Sequence, residues 1–174
     1  MGRPELRFAL AFAAISAVLL GLYAFPYQEL GLSERWFNGY LAAYAHLVGK
    51  VLGCVDSGVH VDGTLISGRY SLRIVKTCDA MEANVLFTAA VLALGGPWAK
   101  KLGALVLGLF ALVSANVIRI SSLYYAGALA PDTFRVLHEE VWPLVLVAFA
   151  GGAFLLAASW IRRGVALEPE RKAT

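Results

Sequence analysis

Apolar residues gather in four long runs, separated by segments rich in polar residues, glycine and proline. Positions 8–25, 79–95, 102–126 and 140–161 are almost wholly apolar. As a helix, the first run spans about 27 Å, close to the roughly 30 Å of a bilayer core. The bulky Tyr23-Ala24-Phe25-Pro26 at its end offers no small-x-small cleavage site. The run is therefore read as a retained transmembrane helix rather than a signal peptide. Pro26 and Gly31 break the chain after it, and Ser33 is placed to cap the next helix. Over 34–52, Trp36, Tyr40, Tyr44, Val48 and Leu52 recur at helical spacing, interrupted by Glu34, Arg35, Asn38, His46 and Lys50. That pattern predicts an amphipathic helix, lying along the membrane interface or packed on the other helices. Over 55–76 the pattern turns β-like. Short β-rich runs surround Gly58, Asp62-Gly63 and Ser67-Gly68, with Asp62-Gly63 a two-residue hairpin signal.

These elements predict an all-α integral membrane protein, one domain over residues 1–174. It has four transmembrane helices, an interfacial helix and a small extracytoplasmic β-hairpin or sheet, followed by a charged tail over 162–174. Composition agrees. The chain is 59% hydrophobic and 16% charged, against about a quarter charged in soluble domains, and its mean hydropathy is +0.69. The net charge is only +3. The basic residues sit at the ends of the apolar runs, which argues for membrane orientation and against nucleic-acid binding. Arg3 and Arg7, Lys100 and Lys101, and Arg162 and Arg163 fall on one side of a four-span arrangement, the cytoplasmic side. Both termini are then cytoplasmic, and the β segment and the polar stretch Phe134–Glu140 are extracytoplasmic.

Three reactive side chains reach one depth in this arrangement. Cys78 stands at the outer mouth of the second span and His138 just before the fourth. Arg119 lies about 25 Å up the third, which rises from the inner side. Asn116 is one turn below Arg119 on the same face. A membrane arginine is costly and marks a functional site by default. A thiolate is a strong nucleophile that needs a base or positive neighbours, and the amino end of a helix favours it. Histidine supplies the base and later the acid, and guanidinium holds an oxyanion or a carboxylate. The set suits acyl transfer through a thioester. Each residue also has a plainer reading: Cys78 as packing, Arg119 snorkelling to headgroups, His138 as a loop residue. A Cys54–Cys78 disulfide is a further alternative, and would consume the nucleophile. No cofactor and no metal are expected, since Cys and His lack metal-site spacing.

At Thr77-Cys78-Asp79-Ala80, Ala115-Asn116-Val117-Ile118-Arg119-Ile120 and Leu137-His138-Glu139 the chain resembles the exosortase/archaeosortase family. The resemblance runs from Trp36 to Ile161, and the Cys78-x-x-x-Glu82-Ala83 context is most like the exosortase H branch. It implies a membrane cysteine transpeptidase of the bacterial inner membrane, with the active site facing outward. Its partners would be the lipid bilayer and membrane-anchored proteins bearing a C-terminal sorting signal: a motif, a transmembrane helix and a basic tail. The resemblance implies Cys78, Arg119 and His138 as catalytic, with Asn116, Glu82 and Arg135 supporting. The chain departs from the family at Ala80, where many members carry glycine; a methyl there would narrow the space beside the thiol. It also has fewer helices than the larger members. Two rival classes stand beside this reading. One is a non-enzymatic membrane scaffold with Arg119 as an interhelical anchor. The other is a thiol oxidoreductase using Cys54 and Cys78, against which the absence of Cys-x-x-Cys argues.

Overall fold

The computed structural model describes residues 2–24 and 33–166. The helices are α1 (Arg3–Ala24), α2 (Ser33–Gly53), α3 (Met81–Ala93), α4 (Trp98–Leu129), α5 (Pro131–Val136) and α6 (Trp142–Ala166). The strands are β1 (His60–Asp62), β2 (Leu65–Ser67) and β3 (Leu72–Arg73). A 3-10 turn covers Lys76–Cys78, and a π-helical turn, Leu137–Val141, joins α5 to α6. The expected loop from Pro26 and the far end of the tail, 167–174, lie outside the described residues.

Among the described residues, three helical stretches are long and apolar enough to cross a membrane: Arg3–Ala24, Trp98–Leu129 and Pro131–Arg163. The protein is therefore membrane-type in its apolar architecture. The segment expected to span over 79–95 is shorter in the structure. α3 has 13 residues, about 20 Å of helix against a core of about 30 Å. Its amino end is delayed because the 3-10 turn and Ala80, at φ 54°, break the helical path before Met81. The third helix is longer than expected. The expected span starts at 102, yet α4 starts at Trp98, directly after Pro97. Proline just ahead of a first turn is compatible with a helix start, because that turn's N–H groups have no intrahelical partner. Arg119 is thus about 32 Å along α4 rather than 25 Å. Phe134–Glu140 is not a loop either. Pro131 and Asp132 in the first turn of α5 begin a helix there, and the π turn continues it into α6.

The single expected domain is built as two compact units. The first comprises α1, α3, residues 98–113 of α4 and residues 146–166 of α6. Its core is Phe87, Val91, Leu94, Ala104, Leu112 and Ile161, with Phe8 and Phe154 packed on it. The second comprises α2, the sheet, the 3-10 turn, residues 114–129 of α4, α5 and the π turn. Here α2 turns Leu41, Tyr44, Ala45, Val48 and Leu52 inward at helical spacing, alongside buried Ile66 and Ile74 of the sheet segment. α2 packs on β1 and β2, so its apolar face is at least partly spent on the sheet.

The sheet is antiparallel in the order β1-β2-β3. Asp62 pairs with Leu65, so the two-residue loop is Gly63-Thr64 and not Asp62-Gly63. Only Gly63 in it has positive φ, 55°, which suits a turn with glycine at its first central position. Gly68 has a different reason to be glycine. A Cβ there would collide with the Tyr124 hydroxyl, which accepts the Arg69 N–H at 2.7 Å.

Candidate functional site

The second unit brings together residues far apart in sequence. β3 leads into the 3-10 turn, where Cys78 N–H donates to the Val75 carbonyl at 2.8 Å. From the facing part of α4, the Asn116 side-chain amide donates to the Cys78 carbonyl at 2.8 Å and to the Tyr44 hydroxyl at 2.9 Å. Its oxygen accepts from Arg119 Nη1 at 3.3 Å. One fully buried amide therefore ties the cysteine backbone, α2 and the arginine together. Arg119 is 6% exposed, and its Nε is buried without a hydrogen-bond partner among the described residues. A buried guanidinium N–H left unpaired costs free energy.

Cys78, Arg119 and His138 line one cavity of about 240 Å³, together with Tyr70, Ser71, Leu72, Arg73, Val75 and Phe134. That is smaller than the roughly 300–1,000 Å³ of small-molecule sites. The π turn carries His138, whose ring stacks on Phe134 at 5.8 Å and 7° between planes. Phe134 in turn meets Tyr70 at 5.8 Å. π turns recur at functional sites because the extra residue re-aims side chains. Sequence position alone placed His138 at the outer mouth of a helix; the wider turn and the stacked ring set the face of the imidazole.

Not all the expected residues gather here. Arg135 is exposed and does not line the cavity. Glu82 is exposed in the first turn of α3 and belongs to the first unit. Cys54 is an exposed free thiol whose Sγ donates to the Lys50 carbonyl at 3.3 Å. Cys78 is also a free thiol, and it precedes α3 on a separate turn rather than opening that helix.

Sequence reasoning missed three participants. Tyr44 read only as an apolar-face residue of α2. Asp79 read only as the first residue of an apolar run, yet it is 2% exposed. Phe134 read as part of a polar stretch. A carboxylate directly after the cysteine, within an otherwise apolar context, was the one available signal. On α2, burial pushes the Tyr40 phenol up to about 12, with Asp79 and Tyr44 adding to the effect. Burial also raises Tyr44, against the hydrogen bond from Asn116, which lowers it. Both phenols stay neutral at physiological pH, and Tyr44 stays a hydrogen-bonding partner of Asn116.

Ala80 is the one non-glycine residue with positive φ among those described. The left-handed region costs an L-residue roughly 1–2 kcal/mol. Ala80→Gly should raise stability by about 0.5–1 kcal/mol, the relief being partly offset by unfolded-state entropy. Thermal unfolding of the purified protein in one detergent measures it. A lower unfolding temperature would show that the methyl's packing outweighs the strain.

Comparison of the chain with known protein families, with curated proteins and with solved structures returned no match.

Proposed function

We propose that the chain is a membrane-embedded cysteine peptidase or transpeptidase of the exosortase type, cutting the C-terminal sorting signal of membrane-anchored proteins. One observation carries the reading: thiol, guanidinium and imidazole, from three separate segments, line one cavity. They occur in the order of the family pattern. Ala80 adds support, because its left-handed backbone is the conformation for which glycine, the residue of many family members at this place, has the lowest cost.

In this reading His138 takes the Cys78 proton, and the thiolate attacks the scissile carbonyl carbon. The tetrahedral oxyanion rests on the guanidinium of Arg119, which lines the same cavity. Collapse breaks the C–N bond; the amine leaves with the proton held by His138, and a thioester remains on Cys78. Water or an acceptor amine, deprotonated by His138, then resolves the thioester and restores the thiol. The chemistry asks for neither a metal nor an organic cofactor.

The proposed topology has four crossings, with α3 and its flanking turns making the second and both termini in the cytoplasm. The Lys and Arg residues at the ends of the runs support it. Reporter fusions at Gly63 and Thr174 should report opposite sides of the inner membrane. The same side for both would overturn the topology, and with it an outward-facing site. The direct test of function is processing of a co-expressed protein carrying a motif, a C-terminal hydrophobic helix and a basic tail, followed by its mass shift on gels.

A further inference from the structure

β3 is an edge strand: β2 pairs with it on one side, and among the described residues no strand pairs on the other. The register says which of its groups are spare. Ile74 N–H donates to the Thr64 carbonyl at 2.8 Å, and Ile66 pairs with Leu72. Leu72 and Ile74 therefore turn their main-chain groups toward β2. Arg73, paired with Leu65 at a position without mutual hydrogen bonds, turns its N–H and C=O away. Ser71 lies two residues earlier, just ahead of the strand.

The cavity runs along this edge. Side chains of a strand alternate between faces, so a cavity under one face would be lined by every second residue. Leu72 and Arg73 of β3 both line it, with Tyr70 and Ser71 just ahead of the strand and Cys78 beyond it. The edge strand and Cys78 thus line one cleft. An exposed edge is a ready template for another extended chain.

We infer that the substrate polypeptide binds in extended form as a fourth strand on β3, its main chain pairing with Arg73 and Ser71 and its scissile carbonyl brought to Cys78. The inference rests on the peptidase reading above and deepens it. Affinity then comes from main-chain bonds, which any sequence supplies, and selectivity from the side chains around Tyr70 and Phe134. The occupant is a polypeptide because a row of alternating N–H and C=O groups is what complements a strand edge.

The probe is acetyl-tetraalanyl chloromethyl ketone, which alkylates a cysteine thiol with loss of chloride. The full-length protein in detergent is treated with it and with two analogues, N-methylated at the first and third or at the second and fourth amides. Labelling at Cys78 is read by mass spectrometry, and each rate is divided by that of iodoacetamide. Only every second amide of an added strand faces its neighbour. One methylated analogue should therefore lose about tenfold in rate, two hydrogen bonds' worth, while the other keeps most of the parent's rate. Arg73→Pro deletes the outward N–H and leaves the β2 ladder intact. It should slow the parent reagent severalfold more than Arg73→Ala does. Equal rates for the two methylated peptides, or no labelling of Cys78 by any peptide, overturn strand addition. The peptidase reading fails on a different result, retained processing by Cys78→Ser, so the two failures are distinguishable.

Discussion

Cys78→Ser should abolish processing of a co-expressed sorting-signal protein, while Cys54→Ser processes it as the parent does. The two cysteines differ by place rather than by type. Cys78 lines the cavity that holds Arg119 and His138, whereas Cys54 is exposed at the end of α2 with its thiol on a carbonyl of its own helix. Serine at position 54 keeps a donor for that carbonyl. Serine at position 78 fits the space but replaces a thiol by a hydroxyl, far less nucleophilic at neutral pH without a dedicated triad. Loss of a nucleophile costs on the order of a thousandfold in rate or more. The Cys78 backbone carbonyl, held by Asn116, is unchanged by the substitution, so membrane levels of the protein should be normal. An essential Cys54 with a dispensable Cys78 would reverse the assignment.

Arg119→Lys should be nearly as damaging as Arg119→Ala, with about 100- to 1,000-fold lower processing. The geometry gives the reason. Arg119 uses Nη1 on Asn116, and its Nε stays buried and unpaired. A guanidinium holds those two donors in a fixed planar fork. Lysine has one nitrogen at the end of a flexible stem, so it cannot bond Asn116 and offer a second fixed donor to an oxyanion. A residue that only anchors α4, or only sets topology through its charge, would tolerate lysine. Near-normal processing by Arg119→Lys, at normal membrane levels, would make Arg119 an anchor of α4 and not the oxyanion donor. Should the lysine variant fail to accumulate, Asn116→Asp offers a second readout. It preserves the acceptor for Arg119 and removes the amide donor to the Cys78 carbonyl, separating the cysteine's support from the arginine's.

The apolar runs were legible in the sequence because burial in lipid or in a core demands long unbroken stretches of hydrophobic side chains, whatever their neighbours. So was the sheet, since glycine and aspartate punctuate β-rich runs locally. The order cysteine, arginine, histidine was legible too, whereas the helical rise that was to bring them to one level missed the early start of α4. Helix ends were less legible, because they depend on single backbone angles. Ala80 at φ 54° stops α3 short, and Pro97 lets α4 start early. Neither effect shows in hydrophobicity. The π turn that aims His138 was invisible for the same reason: one extra residue in a turn leaves the composition unchanged.

What the sequence determined by itself was the inventory: apolar helices of membrane length, a short sheet and three reactive side chains at their margins. Tertiary structure decided which of the margins meet. Asn116 was expected to support Arg119 from one turn away, and it does so while also holding the Cys78 carbonyl and the Tyr44 hydroxyl. Glu82 and Arg135, equally near the motifs in sequence, end up exposed outside the cavity. The difference lies in long-range packing. A polar side chain joins a site only when its helix face turns toward partners supplied by distant segments, and periodicity within one segment carries no information about what stands opposite.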